Sequence, residues 1–160
     1  MRSLVSKALP GRSRAVIDGI TLTPLSIIPV EKGNVLHAIN CAESGFSGFG
    51  EAYFSDVDYG AVKGWKKHNE MVSNIVVPVG EIKFVFYDDR VGSKTIHQYQ
   101  EATLSRDTYM RITAEPGIWM AFQGAAQGHN MLLNIASIKH EPSESISVPI
   151  EQFDYSFGEL

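Results

Sequence analysis

The stretch that decides the fold is Ile75-Val-Val-Pro-Val-Gly-Glu-Ile-Lys-Phe-Val-Phe-Tyr-Asp88. It contains two short apolar runs, Ile75 to Val79 and Ile82 to Asp88, separated by a glycine and a glutamate. Runs of this length that are rich in Val, Ile, Phe and Tyr and bounded by turn residues are typical of buried β-strands. The stretch therefore predicts two consecutive strands of an all-β core.

Similar runs occur on both sides of this stretch, and together they predict about ten strands. They cover residues 17–30, 35–40, 46–55, 62–67, 95–100, 108–113, 118–123 and 131–138. Residues 98–104 could alternatively form a turn or two of helix, and the glycine-rich run 45–50 is interpreted as a bulged strand. Such a set of strands closes most simply into a jelly roll or barrel, whose mouth is a natural small-molecule pocket.

Composition narrows the class of protein further. The 160 residues fit one jelly-roll domain, with a core at about 15–140 and an extended arm at about 141–160 that lies over the barrel or on a partner subunit. Scattered basic residues and a formal net charge of −4 argue against nucleic-acid binding. The lone Cys41, the lack of a secretory signal and the lack of a membrane-length apolar run predict a soluble, cytoplasmic protein.

The densest polar cluster of the sequence lies in the predicted strand at 63–70. The two-residue period of a strand places Lys66, His68 and Glu70 on one face, and Trp65 and Lys67 on the other. If the first face lines the barrel, a base lies beside a cation. A neutral imidazole can remove a proton from a carbon next to a ketone, and an ammonium can stabilise the resulting enolate.

Two other interpretations of these residues stay open. The lysines of the cluster can be solvated charges that protect an edge strand from aggregation. Alternatively, His68 and Glu70 can converge with His129 on a metal ion, since the fold decides ligand geometry.

Three stretches of the chain resemble the dTDP-4-dehydrorhamnose 3,5-epimerase family. They are Gly45-Phe-Ser-Gly-Phe-Gly-Glu-Ala-Tyr-Phe-Ser55, Gly60-Ala-Val-Lys-Gly-Trp-Lys-Lys-His68 and the part of the opening stretch from Val76 to Asp88. The resemblance, which spans Val30 to Phe157, implies a cupin jelly roll that is usually a dimer. It implies an epimerase or isomerase of nucleotide-linked 4-keto deoxysugars for surface polysaccharides. The implied reaction requires no metal or organic cofactor, because the ketone of the substrate is the electron sink.

The family's catalytic histidine falls on Lys66 in direct register and on His68 if the strand contains a two-residue bulge. We favour His68, because an ammonium is a poor base. Several other family positions differ in this chain. The second histidine corresponds to Met120, the pair of tyrosines to Asn134 and His140, and a lysine near the sugar falls close to Ser73 or Asn74; these four positions depart from the family pattern.

The resemblance and the cluster together predict a mechanism. His68 removes the proton beside the ketone, Lys66 stabilises the enolate, and His140 returns a proton from the opposite face. A carboxylate of the C-terminal arm, Asp154 or less favourably Glu151, orients His68.

The remaining candidates would bind the nucleotide sugar. The predicted substrate-binding residues are Lys63, Trp65, Asn74, Arg111 and Asn134, with Arg90 as a further diphosphate ligand and Tyr53 and Trp119 as further stacking aromatics. Two alternative functions remain: a 3,4-ketoisomerase of the same substrate class, and a cupin that binds a sugar nucleotide without catalysis.

Overall fold

The computed structural model describes residues 16–158 and consists almost entirely of β-strands. The strands are β1 (Ile20–Pro24), β2 (Ile27–Ile28), β3 (Val35–Leu36), β4 (Glu51–Val57), β5 (Val62–His68), β6 (Ser73–Val79), β7 (Glu81–Asp88), β8 (Tyr99–Ser105), β9 (Met110–Ala114), β10 (Ile118–Gly124), β11 (Asn130–Ala136) and β12 (Ser145–Ser147). Two short 3-10 turns, Pro142–Glu144 and Ile150–Gln152, lie on either side of β12. The first 15 residues, for which we predicted no secretory signal, lie outside the described range.

The strands form two five-stranded antiparallel sheets and one short separate pair. The first sheet has the order β1-β9-β6-β11-β4, the second has the order β12-β5-β10-β7-β8, and β2 pairs with β3. From β4 to β11 every connection except the one between β7 and β8 passes from one sheet to the other. This alternation is the arrangement of a jelly roll and confirms the predicted fold.

The opening stretch of sequence forms a corner between the two sheets. Strand β6 lies in the first sheet and β7 in the second, so Gly80 turns the chain from one to the other. Its backbone has a φ of +74°, and a Cβ atom would lie 2.4 Å from the carbonyl oxygen of His129. Only glycine fits this turn without strain. Beyond it, Ile82, Phe84 and Phe86 are fully buried in the core between the sheets.

The C-terminal arm, residues 141–158, covers the outer face of the second sheet. Its aromatic side chains Phe153, Tyr155 and Phe157 pack against Trp65 and Trp119. The indole of Trp65 is fully buried and has the ring of Phe153 5.3 Å away at an interplanar angle of 87°. The arm therefore lies on its own subunit and closes a second apolar layer.

Two local expectations were wrong. The alternative of a helical turn at residues 98–104 is not formed, because residues 99–104 belong to strand β8 and pair with β7. The glycine-rich run 45–50 is a loop because Gly45 has a φ of +92°, and a Cβ atom at Gly50 would overlap the backbone of Ile138. The positive φ of Gly45 and the close approach of Gly50 to the backbone after β11 explain these two glycines. Among residues 16–158 there is no helix whose length and apolarity would let it cross a membrane.

Candidate active site

A cavity of about 200 Å³ lies between the two sheets. Its polar lining consists of Tyr53, Ser55, Lys63, Lys66, His68, Ser73 and Asn134, and its apolar lining of Ile75, Met120, Phe122 and Leu132. Because consecutive strands alternate between the sheets, residues distant in sequence face each other across this space. The cavity combines several polar groups with apolar walls, as small-molecule sites do.

An irregularity in strand β5 brings three of its four basic residues to the cavity. Lys66 pairs with Met120, but the next inward pair on β10 joins Phe122 to Lys63, so β5 has one residue more than its partner at this point. Such a bulge changes which side chains point inward. Lys63, Lys66 and His68 consequently all line the cavity, whereas Trp65 lies on the outer face.

His68 is held by a buried carboxylate. Its Nδ1 atom lies 2.7 Å from Oε2 of Glu144, and the two side chains are 13% and 5% exposed. The other oxygen of Glu144 accepts hydrogen bonds from the amides of Glu70 at 2.8 Å and Met71 at 2.9 Å. Strand β12 pairs with β5 in a register that places Ser145 opposite His68, and so brings the preceding turn to the imidazole.

The ionisation of Glu144 determines the tautomer of His68. Burial opposes ionisation, but the hydrogen bonds from the amide of Glu70, the ring of His68 and the amide of Met71 outweigh it and lower the pKa of Glu144 to about 2. An ionised carboxylate can only accept, so Nδ1 of His68 carries the hydrogen. In the neutral ring Nε2 then has a free lone pair, and among residues 16–158 it has no partner.

Two lysines extend the basic side of the cavity. Within the described part of the chain, Lys66 has no hydrogen-bond or ion-pair partner. Lys63 donates from Nζ to the hydroxyl of Ser55 at 2.9 Å and thereby connects the two sheets. An ammonium without a partner beside an imidazole is suited to bind an anion or a developing negative charge.

The opposite wall carries a tyrosine and an asparagine from neighbouring strands of the first sheet. Nδ2 of Asn134 donates to the hydroxyl oxygen of Tyr53 at 2.9 Å. Asn134 is only 3% exposed, and its Oδ1 is buried without a hydrogen-bond partner among residues 16–158. The sequence suggested Tyr53 only as a stacking aromatic; its pairing with Asn134 depends on the register of β4 and β11.

The structure thus brings five of the sequence-predicted site residues to one cavity: Tyr53, Lys63, Lys66, His68 and Asn134. It corrects the predicted partner of His68. Asp154 and Glu151 are exposed on the C-terminal arm, and Glu144 makes the hydrogen bond instead. The resemblance placed a carboxylate on the arm, but the arm holds several, and only the pairing of β12 with β5 selects among them.

His140 does not occupy the position predicted for the proton donor. It follows β11, is exposed, and is not part of the cavity lining. Trp65, predicted to contact substrate, is fully buried on the outer face of β5 and donates from Nε1 to the carbonyl of Ile150 at 3.1 Å. Trp119 belongs to the same outer cluster. The alternation of the strand sends these indoles away from the cavity.

Arg111 and Asn74 were predicted to bind substrate, and the structure gives both a structural role. The guanidinium of Arg111 is fully buried and donates to Glu43 at 2.6 Å and to the carbonyl of Ala38 at 2.9 Å. Asn74 donates to the carbonyl of Gly45 at 2.9 Å. Both side chains lie on the outer face of the first sheet and hold the loop before β4. The neighbour of Asn74, Ser73, lines the cavity instead.

Arg90 and the proposed metal ligands are also engaged elsewhere. Arg90 donates from Nε to buried Asp88 at 2.9 Å, a pairing that holds the pKa of Asp88 well below its usual value despite burial. His129 lies at the surface, 3.2 Å from Asp56. Among residues 16–158 no group of three or more His, Cys, Asp or Glu side chains could hold a metal ion. The arrangement of His68, Glu70 and His129 as ligands is therefore not formed.

The fold and the cavity together define a class: a cupin-type jelly roll whose space between the sheets carries a carboxylate-oriented histidine beside an unpaired lysine. Among solved structures, 76 chains match the fold of this protein. A dTDP sugar isomerase from Desulfovibrio desulfuricans G20 is 36% identical over 88% of this chain and 91% of its own, with a TM-score of 0.85. The chain therefore belongs to the dTDP-4-dehydrorhamnose 3,5-epimerase family of dTDP-sugar epimerases and isomerases.

More distant structures share the fold alone. A dTDP-6-deoxy-D-glucose-3,5-epimerase from Legionella pneumophila, solved with dTDP-4-keto-L-rhamnose, is 20% identical over 91% of this chain and 83% of its own, with a TM-score of 0.76. ChmJ, a 3'-monoepimerase from Streptomyces bikiniensis, is 17% identical over 84% of this chain and 71% of its own, with a TM-score of 0.75. No family model matches the chain. Comparison with the curated proteins likewise returns no match.

Proposed function

We propose that the protein epimerises or isomerises a nucleotide-linked 4-keto deoxysugar by removing a proton next to the ketone. The observation that supports this most strongly is the pair of His68 and Glu144, which leaves a basic Nε2 atom on the cavity side of a fixed imidazole. The similarity to the isomerase from Desulfovibrio desulfuricans supports the substrate class, a dTDP sugar.

The chemistry follows from the charges around the cavity. His68 takes the proton from the carbon beside the ketone, the C–H electron pair becomes a C=C bond, and the carbonyl oxygen becomes an enolate. Lys66, which is otherwise unpaired, stabilises that oxygen. Glu144 stabilises the imidazolium, and such a positioned base contributes about 10²–10⁴-fold to the rate.

The size of the cavity suggests which part of the substrate enters it. At about 200 Å³ it lies below the roughly 300 Å³ at which pockets for drug-sized ligands begin. The keto sugar then occupies the cavity, and the nucleotide remains at its opening. Lys63, which is exposed and already bonded to Ser55, is placed to interact with the diphosphate between them.

Family membership also supports a cytoplasmic homodimer that acts in deoxysugar synthesis for surface polysaccharides, with no nucleic acid, membrane, metal or cofactor needed for the reaction. The single described cysteine, Cys41, is exposed and unpaired, as is common in reducing compartments.

The test is incubation with a panel of dTDP-4-keto-6-deoxysugars in deuterated water, with the mass gain measured at each carbon. Wild-type protein should incorporate deuterium next to the ketone, and His68→Asn should lose this exchange with an almost unchanged Tm. His129→Asn is the matched control, because His129 is a surface residue outside the cavity. Exchange that persists in His68→Asn would reject the assigned base.

The same experiment separates the alternative functions. Inversion at a labelled carbon identifies an epimerase, whereas movement of the ketone from carbon 4 to carbon 3 identifies a ketoisomerase. Binding of a dTDP sugar by the wild type without any exchange or product would identify a non-catalytic binding protein.

A further inference from the structure

We infer that Tyr53 delivers the proton on the face of the substrate opposite His68, and that Asn134 is the positioning residue for Tyr53. This rests on the proposed function and sharpens it, because it predicts inversion at the reacting carbon. The structure brings these two residues into contact, which the sequence did not predict.

Sheet topology puts the two groups on opposite walls. Tyr53 lies on β4 and Asn134 directly opposite on β11, both in the first sheet, whereas Lys66 and His68 lie on β5 in the second sheet. All four line the same cavity. A sugar ring between the sheets would thus present one face to the imidazole and the other to the phenol.

The direction of the hydrogen bond leaves the phenolic proton available. Nδ2 of Asn134 donates to the hydroxyl oxygen of Tyr53, so the hydroxyl hydrogen is not used in this contact. A donor that points at this oxygen also stabilises the phenolate that remains after the proton has left, since hydrogen bonds to charged acceptors are strong. His140, the donor expected from the sequence, is exposed outside the cavity and cannot act from this wall without a rearrangement.

The burial of Asn134 indicates that the amide serves Tyr53. Its Oδ1 is buried with no partner among residues 16–158, which costs stability. An apolar side chain of similar size at this position would avoid that cost but would give Tyr53 no donor. A buried polar group without a partner is expected at a functional site, where local stability is exchanged for placement.

The proton balance of the step is complete without a further reactant. His68 accepts the proton from carbon, and Tyr53 then gives its O–H proton to the same carbon from the other face while the enolate electrons re-form the carbonyl. The protein is left with an imidazolium and a phenolate, and exchange with water restores both. If His68 returns the proton instead, the carbon exchanges its hydrogen with water and keeps its configuration.

Tyr53→Phe separates these two outcomes. In deuterated water this variant should keep deuterium incorporation next to the ketone within about threefold of wild type but lose at least about 100-fold of the inverted product. Tyr59→Phe is the control, because Tyr59 is 43% exposed, similar to the 40% of Tyr53, and lies outside the cavity lining. It should retain both activities.

Asn134→Leu provides an independent test. The variant should form inverted product about 10-fold more slowly, keep its deuterium exchange, and melt at a higher temperature than wild type because the unpartnered oxygen is gone. A residue with only a structural role would lower exchange and inversion together, and that result would overturn the role of Asn134.

Full product formation by Tyr53→Phe would overturn the role of Tyr53. Absence of exchange in the wild type would instead reject the proposed function itself.

Discussion

The two faces of strand β5 differ in how completely their side chains are paired. On the outer face Lys67 contacts Asp89 at 3.0 Å and lies 4.5 Å from the ring centre of Trp119. On the inner face its neighbour Lys66 has no partner within the described residues. Adjacent lysines thus occupy opposite environments. The outer face, where Lys67 is paired, stabilises the fold. The inner face, where Lys66 is unpaired, is available to a ligand.

Burial likewise separates an aromatic residue on the outer face of β5 from one on β4, on the opposite wall of the cavity. Trp65 is fully buried among the rings of the C-terminal arm and its indole N–H is bonded, whereas Tyr53 is 40% exposed and borders the cavity. Of these two aromatic residues, only Tyr53 is accessible to a ligand between the sheets. Changes on the outer face should alter stability, and changes on the inner face should alter catalysis.

The largest expected effect is on the outer face. Trp65→Ala removes a fully buried indole and should lower the free energy of unfolding by about 3–5 kcal/mol, measured by chemical denaturation. Tyr53→Ala, its counterpart at the cavity, should cost less than about 1 kcal/mol. Equal losses in the two variants would show that the faces do not divide stability and function as described.

The neighbouring lysines give the sharpest comparison. Lys66→Met should reduce deuterium exchange about 10²–10³-fold without loss of stability, because it removes the cation that we propose stabilises the enolate. Lys67→Met should leave exchange within about threefold of wild type but lower the unfolding free energy by about 1 kcal/mol, since it breaks a partly buried ion pair. A reversal of these two patterns would contradict the orientation of β5.

Acid should lower the free energy of unfolding by protonating Glu144 on the inner side of the second sheet. Its pKa is 4.5 in the unfolded reference and about 2 in the folded protein, so its contribution to stability is complete above pH 4.5 and is lost as the pH falls towards 2. Wild-type unfolding free energy should therefore fall more steeply in this range than that of Glu144→Gln, by at most about 1.4 kcal/mol per pH unit. Parallel curves for the two proteins would show that folding does not lower the pKa of Glu144.

The smallest effect is expected at Asp89, which accepts hydrogen bonds from Lys67 and from Nε1 of Trp119, the latter at 2.7 Å. Asp89→Asn should lower stability by about 1 kcal/mol and leave both exchange and inversion unchanged. Thermal melting and the deuterium assay, run side by side, measure the two quantities. A loss of exchange would indicate that the outer face influences the cavity through β5.

Much of the site could be predicted from the alternation of β5. The two-residue period placed Lys66 and His68 on one face and Trp65 on the other, as the structure has them. The bulge opposite Met120 was considered only as a question of register, and it is what turns Lys63 inward as well. Arg111 shows the limit of this reasoning, because a charged residue in a strand gives no sign that a distant loop will bury it.

By itself, the sequence determined that the chain forms short apolar strands, that these strands build a jelly roll, and which face of β5 is polar. These properties are local, since they follow from side-chain alternation and turn residues. Tertiary structure alone decided that Glu144 orients His68, that Asn134 meets Tyr53, and that Arg111 and Asn74 are structural. The reason is that each of these contacts joins strands or loops separated by dozens of residues, and pairing register between such segments is set only when the two sheets pack together.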